Sequence, residues 1–172
     1  MSVLDHKIDF AFVFTVRNAN PNGDPLNGNR PRQNYDGFGE ISDVCIKRKI
    51  RNRLQDLGEP ILVQSDERRG DAYRSIKDRV ESNKDVYQHA KGKTADNEKF
   101  SIEACQAWFD VRSFGQVFAF DNISIDVRGP VSIHTATSIH PIDISSLQIT
   151  KSVNIRTPKD PNKKGSDTMG MK

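Results

Sequence analysis

Between Lys7 and Asn18 the apolar residues alternate strictly: Ile8, Phe10, Phe12, Phe14 and Val16 fall on one side, and Asp9, Ala11, Val13, Thr15 and Arg17 on the other. A period of two is the signature of a half-buried strand, so this run predicts a β-strand with its aromatic side packed on helices. The smaller, more polar side, ending in Arg17, is left for solvent or a ligand. The next segment, Asn18-Ala-Asn-Pro-Asn-Gly-Asp-Pro-Leu-Asn-Gly-Asn-Arg-Pro-Arg32, is so dense in Asn, Gly and Pro that it reads as a shaped loop without regular structure. Such residues tolerate left-handed backbone and let the main chain come close to a ligand, though a plain surface loop has the same composition.

A helix is expected from Ser42 to about Leu57. Ser42 is a good N-cap, Asp43 suits the positive end of the dipole, Ile41 can staple onto Ile46, and Gly58 and Pro60 form the stop. Ile46, Ile50 and Leu54 form its buried stripe, while Lys47, Arg48, Lys49, Arg51 and Arg53 fill most of the remaining circumference. Lys47 and Arg51 are stacked one turn apart, a like-charge arrangement that costs a few tenths of a kcal/mol and suits a row tracking a phosphate backbone. A solvated helix face is the competing reading.

Downstream, Ile61–Val63 reads as a short strand, and Asp66 to about Ala90 as helix-compatible sequence with Tyr73, Ile76, Val80 and Tyr87 in rough register. A polar break follows at 91–99, then a helix over about Ile102–Phe109 with Trp108 and Phe109 in the core. This inserted helical segment, about 66–110, is read as peripheral packing rather than chemistry. Asp110-Val-Arg-Ser-Phe-Gly115 then leads into strands at Gln116–Phe120, through Ile123, Ile125 and Val127, and, after Arg128-Gly-Pro130, over Val131–Ile139. The tail from Thr157 to Lys172 is an exposed basic loop in which Met169 and Met171 stand out.

Length and composition bound the rest. The 172 residues allow one sizeable core, and a mean hydropathy of -0.66 with 28% charged residues describes a wet surface. The longest apolar stretch, Phe10–Val16, is far short of a membrane span, and the N-terminus lacks the apolar core of a secretory signal, so a cytoplasmic protein without membrane contact is expected. Cys45 and Cys105 are too few for a disulfide framework, and His6, His89, His134 and His140 are scattered, which indicates neither metal nor cofactor. The net charge is +3, yet residues 30–53 and 151–172 each carry +4, leaving -5 for everything else. Positive potential concentrated in two stretches fits a polyanion partner, and two solvated basic surfaces fit the same numbers. Strand, helix, then strands around a helical piece indicates an α+β fold, a ferredoxin-like or RRM-like sheet with helices on one face; Phe10, Phe12 and Phe14 fall on its apolar side, which argues against base stacking there.

The Asn-Gly-Pro loop, then Ile41-Ser-Asp-Val-Cys-Ile-Lys-Arg-Lys-Ile-Arg-Asn52, Asp110-Val-Arg-Ser-Phe-Gly115, Arg128-Gly-Pro-Val131, Ser138-Ile-His-Pro141 and Thr168-Met-Gly-Met-Lys172, together resemble the Cas-seven family, closest to its Csd-two branch in type I-C CRISPR systems. The resemblance implies a modified RRM core and a backbone subunit that polymerises with copies of itself along CRISPR RNA inside Cascade. Cas-five, Cas-eight and a small subunit would be its partners, and the guide would be presented for pairing with a target DNA strand. Carried onto this chain, Arg30, Arg32, Lys47, Arg48 and Arg51 would meet guide phosphates. Asn20 and Asn22 would shape the backbone path, and Phe114 and Gly115 would approach the RNA. Residues 151–172, with Lys163, Lys164 and Met169, would belong to a thumb. Family members run past Lys172, so the resemblance implies one RRM-like domain whose core is incomplete. An alternative comes from type III relatives, which cleave RNA with an Asp in the loop after the first strand. Asp24 holds roughly that place, with Asp36 further on, but nothing in the sequence beside Asp24 suggests a base, a nucleophile or a second carboxylate, and the expectation is a scaffold rather than an enzyme. A stand-alone RNA-binding regulator is a third reading.

Overall fold

The computed structural model describes residues 4–90, 95–121, 123–150 and 168–170, the last three and 148–150 as backbone only. Helices and strands are mixed, consistent with an α+β fold. The chain divides into two compact units, Ile41–Ala136 and a second made of Met1–Glu40 with Thr137–Lys172.

The first of these holds the larger core. Its α1 (Asp43–Asp56) starts where expected: the Ser42 hydroxyl accepts from the Cys45 amide at 3.3 Å and Asp43 occupies the first turn. It ends in a Schellman arrangement, with Gly58 N donating to Gln55 O at 2.9 Å and Glu59 N to Leu54 O at 3.0 Å, and with Gly58 at φ 85°. The expected buried stripe is a correction: Ile46, Ile50 and Leu54 are half-buried, and no residue of α1 is fully buried. Among the described residues four further α-helices follow, α2 (Ile76–Ser82), α3 (Lys84–Tyr87), α4 (Asn97–Ala107) and α5 (Phe109–Phe114). Side-chain oxygens of Ser75, Asn83 and Asp96 cap the first three of them.

These helices are not peripheral. Val80, Val86, Phe100, Ala104, Trp108 and Val111 form one buried cluster with Leu62, Phe118, Ile123, Ile125 and Val127. The Phe100 and Phe118 rings meet edge to face at 5.0 Å. The strands beneath are β4 (Gly115–Phe120) and β5 (Ile123–Arg128), an antiparallel hairpin in register from Gly115↔Arg128 to Phe120↔Ile123. As its alternation predicts, β5 buries Ile123, Ile125 and Val127 and exposes Ser124, Asp126 and Arg128. Two other expectations fail here. Ile61–Val63 is not a strand, because the amides of Leu62 and Val63 donate to the Asp110 carboxylate instead of to a ladder. The helix expected over about Ile102–Phe109 runs instead over Asn97–Ala107, and Phe109–Phe114, which takes in most of the expected lead-in Asp110–Gly115, is a separate helix.

The second unit is built of short paired strands, with no α-helix among the described residues. The Asn-Gly-Pro segment contains a small hairpin, β1 (Gly23–Asp24) with β2 (Arg30–Pro31), around a 3-10 turn at Pro25–Asn27, so regular structure is present where a loop was expected. Strand β3 (Phe38–Ile41) pairs with β6 (Ala136–Pro141), and β7 (Gln148–Thr150) with β8 (Thr168–Gly170). The Ser138 hydroxyl accepts from Gly39 N at 2.9 Å and donates to His140 O at 2.5 Å, which ties the Ser138–Pro141 motif to the β3–β6 pairing. The strand expected over Lys7–Asn18 is absent: no strand is assigned there, and Phe10, Phe12 and Phe14 are 67%, 73% and 42% exposed. Alternation makes a strand only when a neighbour satisfies its backbone, and no ladder partner for this run occurs among the described residues. The Phe12 and Phe14 rings still share one side, 5.4 Å apart.

Candidate nucleic-acid interface

Five basic residues on one helix can serve two purposes, and the geometry separates them. In α1, three basic side chains are held by the protein itself. Lys47 Nζ lies 3.2 Å from Asp43 Oδ2. Arg48 donates to Asn52 Oδ1 at 3.3 Å and also to the carbonyl of Val63. Burial first, then the neighbouring Arg51 charge, pulls the Arg48 guanidinium below its usual value, and Asp110 opposes this. Arg51 is only 12% exposed, and its Nε donates at 2.8 Å to Oδ2 of Asp110, which is fully buried. The Arg51 guanidinium also lies over the Phe114 ring, 5.2 Å from its centroid. Acidic partners thus answer the Lys47 and Arg51 charges that the sequence stacks one turn apart. The two exposed basic residues of the helix are Lys49 and Arg53, also one turn apart.

Asp110 is the residue that sequence reasoning passed over. Its Oδ1 accepts from Leu62 N at 2.8 Å, and its Oδ2 from Val63 N at 3.1 Å in addition to Arg51. Phe109 N donates to Pro60 O at 2.8 Å, so the start of α5 is fastened to the 60–63 turn at a further point. A lone acid inside Trp108-Phe109-Asp110-Val111 is the signal that points to it, since a carboxylate in so apolar a stretch requires partners.

Gly115, expected to approach RNA, comes close to its own chain. A Cβ there would lie 2.3 Å from Val127 O and 2.7 Å from Gly129 N, and its φ is 77°. A Cβ on Gly129 would lie 2.3 Å from Ser113 O and 2.4 Å from Gly115 N. The Asp110–Gly115 and Arg128–Pro130 motifs are therefore in mutual contact.

In the second unit the hairpin gathers Asn20, Asn22, Arg30 and Arg32. Left-handed Gly28 (φ 58°) and Asn29 (φ 60°) turn the chain, and Asn29 N donates to Asp24 O at 2.8 Å. Asn20 Nδ2 donates to Asn29 O at 2.7 Å, Asn22 Nδ2 to Gly23 O at 3.2 Å, and Arg32 N to Asn22 O at 3.1 Å. Both asparagines therefore shape the path of their own loop. Arg30 is half-buried, its Nε without an acceptor among the described residues, and exposed Arg32 lies 3.8 Å from Asp24 Oδ1. That same Asp24 oxygen accepts from Leu26 N at 3.2 Å, capping the 3-10 turn. Lys163 and Lys164 lie outside the described residues, and Met169 is described only as backbone, paired with Ile149. Cys45 and Cys105 are half-buried and not joined by a disulfide. Among the described residues no three His, Cys, Asp or Glu gather as a metal site, and no helix is long and apolar enough to cross a membrane.

The family model for the CRISPR-associated protein Cas7 matches residues 6–172. A CRISPR-associated protein Cas7 of Haloferax volcanii is 34% identical over 121 residues, a match covering 67% of this chain and 33% of the relative. The chain thus matches about a third of that relative's length. Taken with the ordered motifs described above, the match over nearly the whole sequence shows that the chain belongs to the Cas7 family of CRISPR-associated proteins.

Proposed function

We propose that this chain acts as a guide-RNA scaffold in antiviral defence: part of a backbone subunit of a type I-C Cascade complex, built on an RRM-like core. In this reading it assembles with copies of itself along CRISPR RNA, beside Cas-five, Cas-eight and small subunits. The guide is then presented to a target DNA strand, and the compartment is the cytoplasm. Membership of the Cas7 family supports the setting. The observation that carries the RNA contact is the exposed pair Lys49 and Arg53 on α1, free of the acidic partners that answer Lys47 and Arg51. Two like charges one turn apart disfavour a helix slightly, and a phosphate strand removes that cost. Arg30, with its unanswered Nε, and exposed Arg32 supply further positive charge from the hairpin.

Replacing Lys49 and Arg53 together by Ala is expected to weaken binding of unrelated single-stranded RNAs about equally. It should flatten the slope of log affinity against log salt by about 1.4, at about 0.7 per lost phosphate contact. Unchanged affinity and slope would remove the helix from the RNA contact. Scaffold and nuclease separate on Asp24, whose carboxylate caps a turn and faces Arg32. Incubation of the assembled complex with complementary RNA and magnesium is expected to give no product, and cleavage that disappears in Asp24→Ala would overturn the scaffold reading.

A further inference from the structure

What aims the exposed basic pair is a buried carboxylate that itself meets no ligand. Helix α1 has no fully buried side chain, so packing alone defines its rotation weakly. Polar tethers on its inner side add to this: Arg51 to Asp110, Arg48 to the Val63 carbonyl, and Gln55 to the Arg68 carbonyl at 3.1 Å. The first two lead to Asp110, because that carboxylate also holds the amides of Leu62 and Val63 and so fixes where the Val63 carbonyl points. At about 100° per residue, Lys49 and Arg53 centre about 150° around the helix from Arg48 and Arg51. The free charges are therefore directed away from the tethers, and a change in the tethers rotates them.

We infer that Asp110 is a positioning residue for the basic face of α1, an inference whose RNA arm rests on the function proposed above. The carboxylate suits this task better than an amide. Two oxygens face three donors, and an Asn would turn an NH2 group towards donors on one side. With the NH2 on the Oδ2 side Arg51 loses its acceptor, and with it on the Oδ1 side Arg51 keeps only a neutral acceptor, so the helix is held less tightly at its inner edge either way.

The test uses the purified chain, a labelled single-stranded RNA of mixed sequence, and hydrogen exchange of the α1 amides. Asp110→Asn is expected to speed α1 exchange at least tenfold more than exchange in α4. The same variant should weaken RNA binding and flatten the salt slope as Lys49→Ala with Arg53→Ala does. Adding that pair in the Asp110→Asn background should then change little, because charges no longer aimed cannot be lost twice. Arg51→Lys keeps the charge balance around Asp110 and covers the case in which Asp110→Asn fails to fold; intermediate effects on both readouts are expected. Unchanged α1 exchange in the folded variants overturns the inference whatever RNA does. So do wild-type affinity and slope in Asp110→Asn while the Lys49 and Arg53 pair matters. Faster α1 exchange with RNA binding indifferent to Lys49 and Arg53 upholds the anchoring and sinks the RNA reading instead.

Discussion

Asp110 and Arg51 form an ion pair in which both partners are shielded from water, so cutting it from one side leaves an uncompensated charge inside. Arg51→Ala is expected to lower the unfolding free energy by about 3–5 kcal/mol, read from urea denaturation at constant pH. A second clamp has a pH signature. Arg79 is 7% exposed and donates to both oxygens of Asp71 at 2.6 and 2.9 Å, to Leu62 O at 2.7 Å and to Tyr73 O at 2.8 Å. The hydrogen bond from Arg79 is the main reason the Asp71 carboxyl sits below its usual 3.8. A group whose folded pKa is depressed stabilises the fold above its unfolded pKa, and that contribution fades as pH falls through the lower folded value. The stability difference between the wild-type chain and Asp71→Asn should therefore be constant at neutral pH and shrink below about pH 4, as equilibrium unfolding at stepped pH would show.

At the level of elements, legibility followed locality. Both ends of α1 were readable because caps act within a few residues: Ser42, Asp43 and Gly58 occupy the places their chemistry assigns. Ser42→Ala is expected to cost about 1 kcal/mol, measurable as a lowered melting temperature, while the helix length is kept. The alternation of β5 was readable too, since one of its faces lies on a helical layer within the same unit. Alternation at Ile8–Val16 is just as regular and was misread, because a ladder depends on a partner elsewhere in the chain that no local pattern reveals. The helices of about 66–110 read as periphery in the sequence for a related reason. Their apolar residues are spread over four short elements, and only folding collects Val80, Val86, Phe100 and Trp108 into one cluster.

For the molecule as a whole, the family was legible and the allocation of its charges was not. Order and spacing of motifs identify the Cas7 family, and charge counts locate a basic segment at 30–53. Neither distinguishes a basic side chain that works inward from one that works outward. Lys47, Arg48 and Arg51 stand beside Lys49 and Arg53 in sequence, yet the first three have partners at Asp43, Val63 and Asp110. The salt dependence of RNA binding should consequently respond more to Lys49 and Arg53 than to Lys47, a ranking that single alanine variants can establish in one titration series.

Gly115 and Gly129 stand back to back, each occupying the space a methyl group on the other's side of the junction would need. Change at either position is therefore blocked by backbone rather than by a side chain that could shrink in response, so no compensating partner substitution is open to evolution or to an engineer. A saturation library across both sites should return glycine at each, with paired variants no worse than single ones, because the seam needs to be forced apart only once.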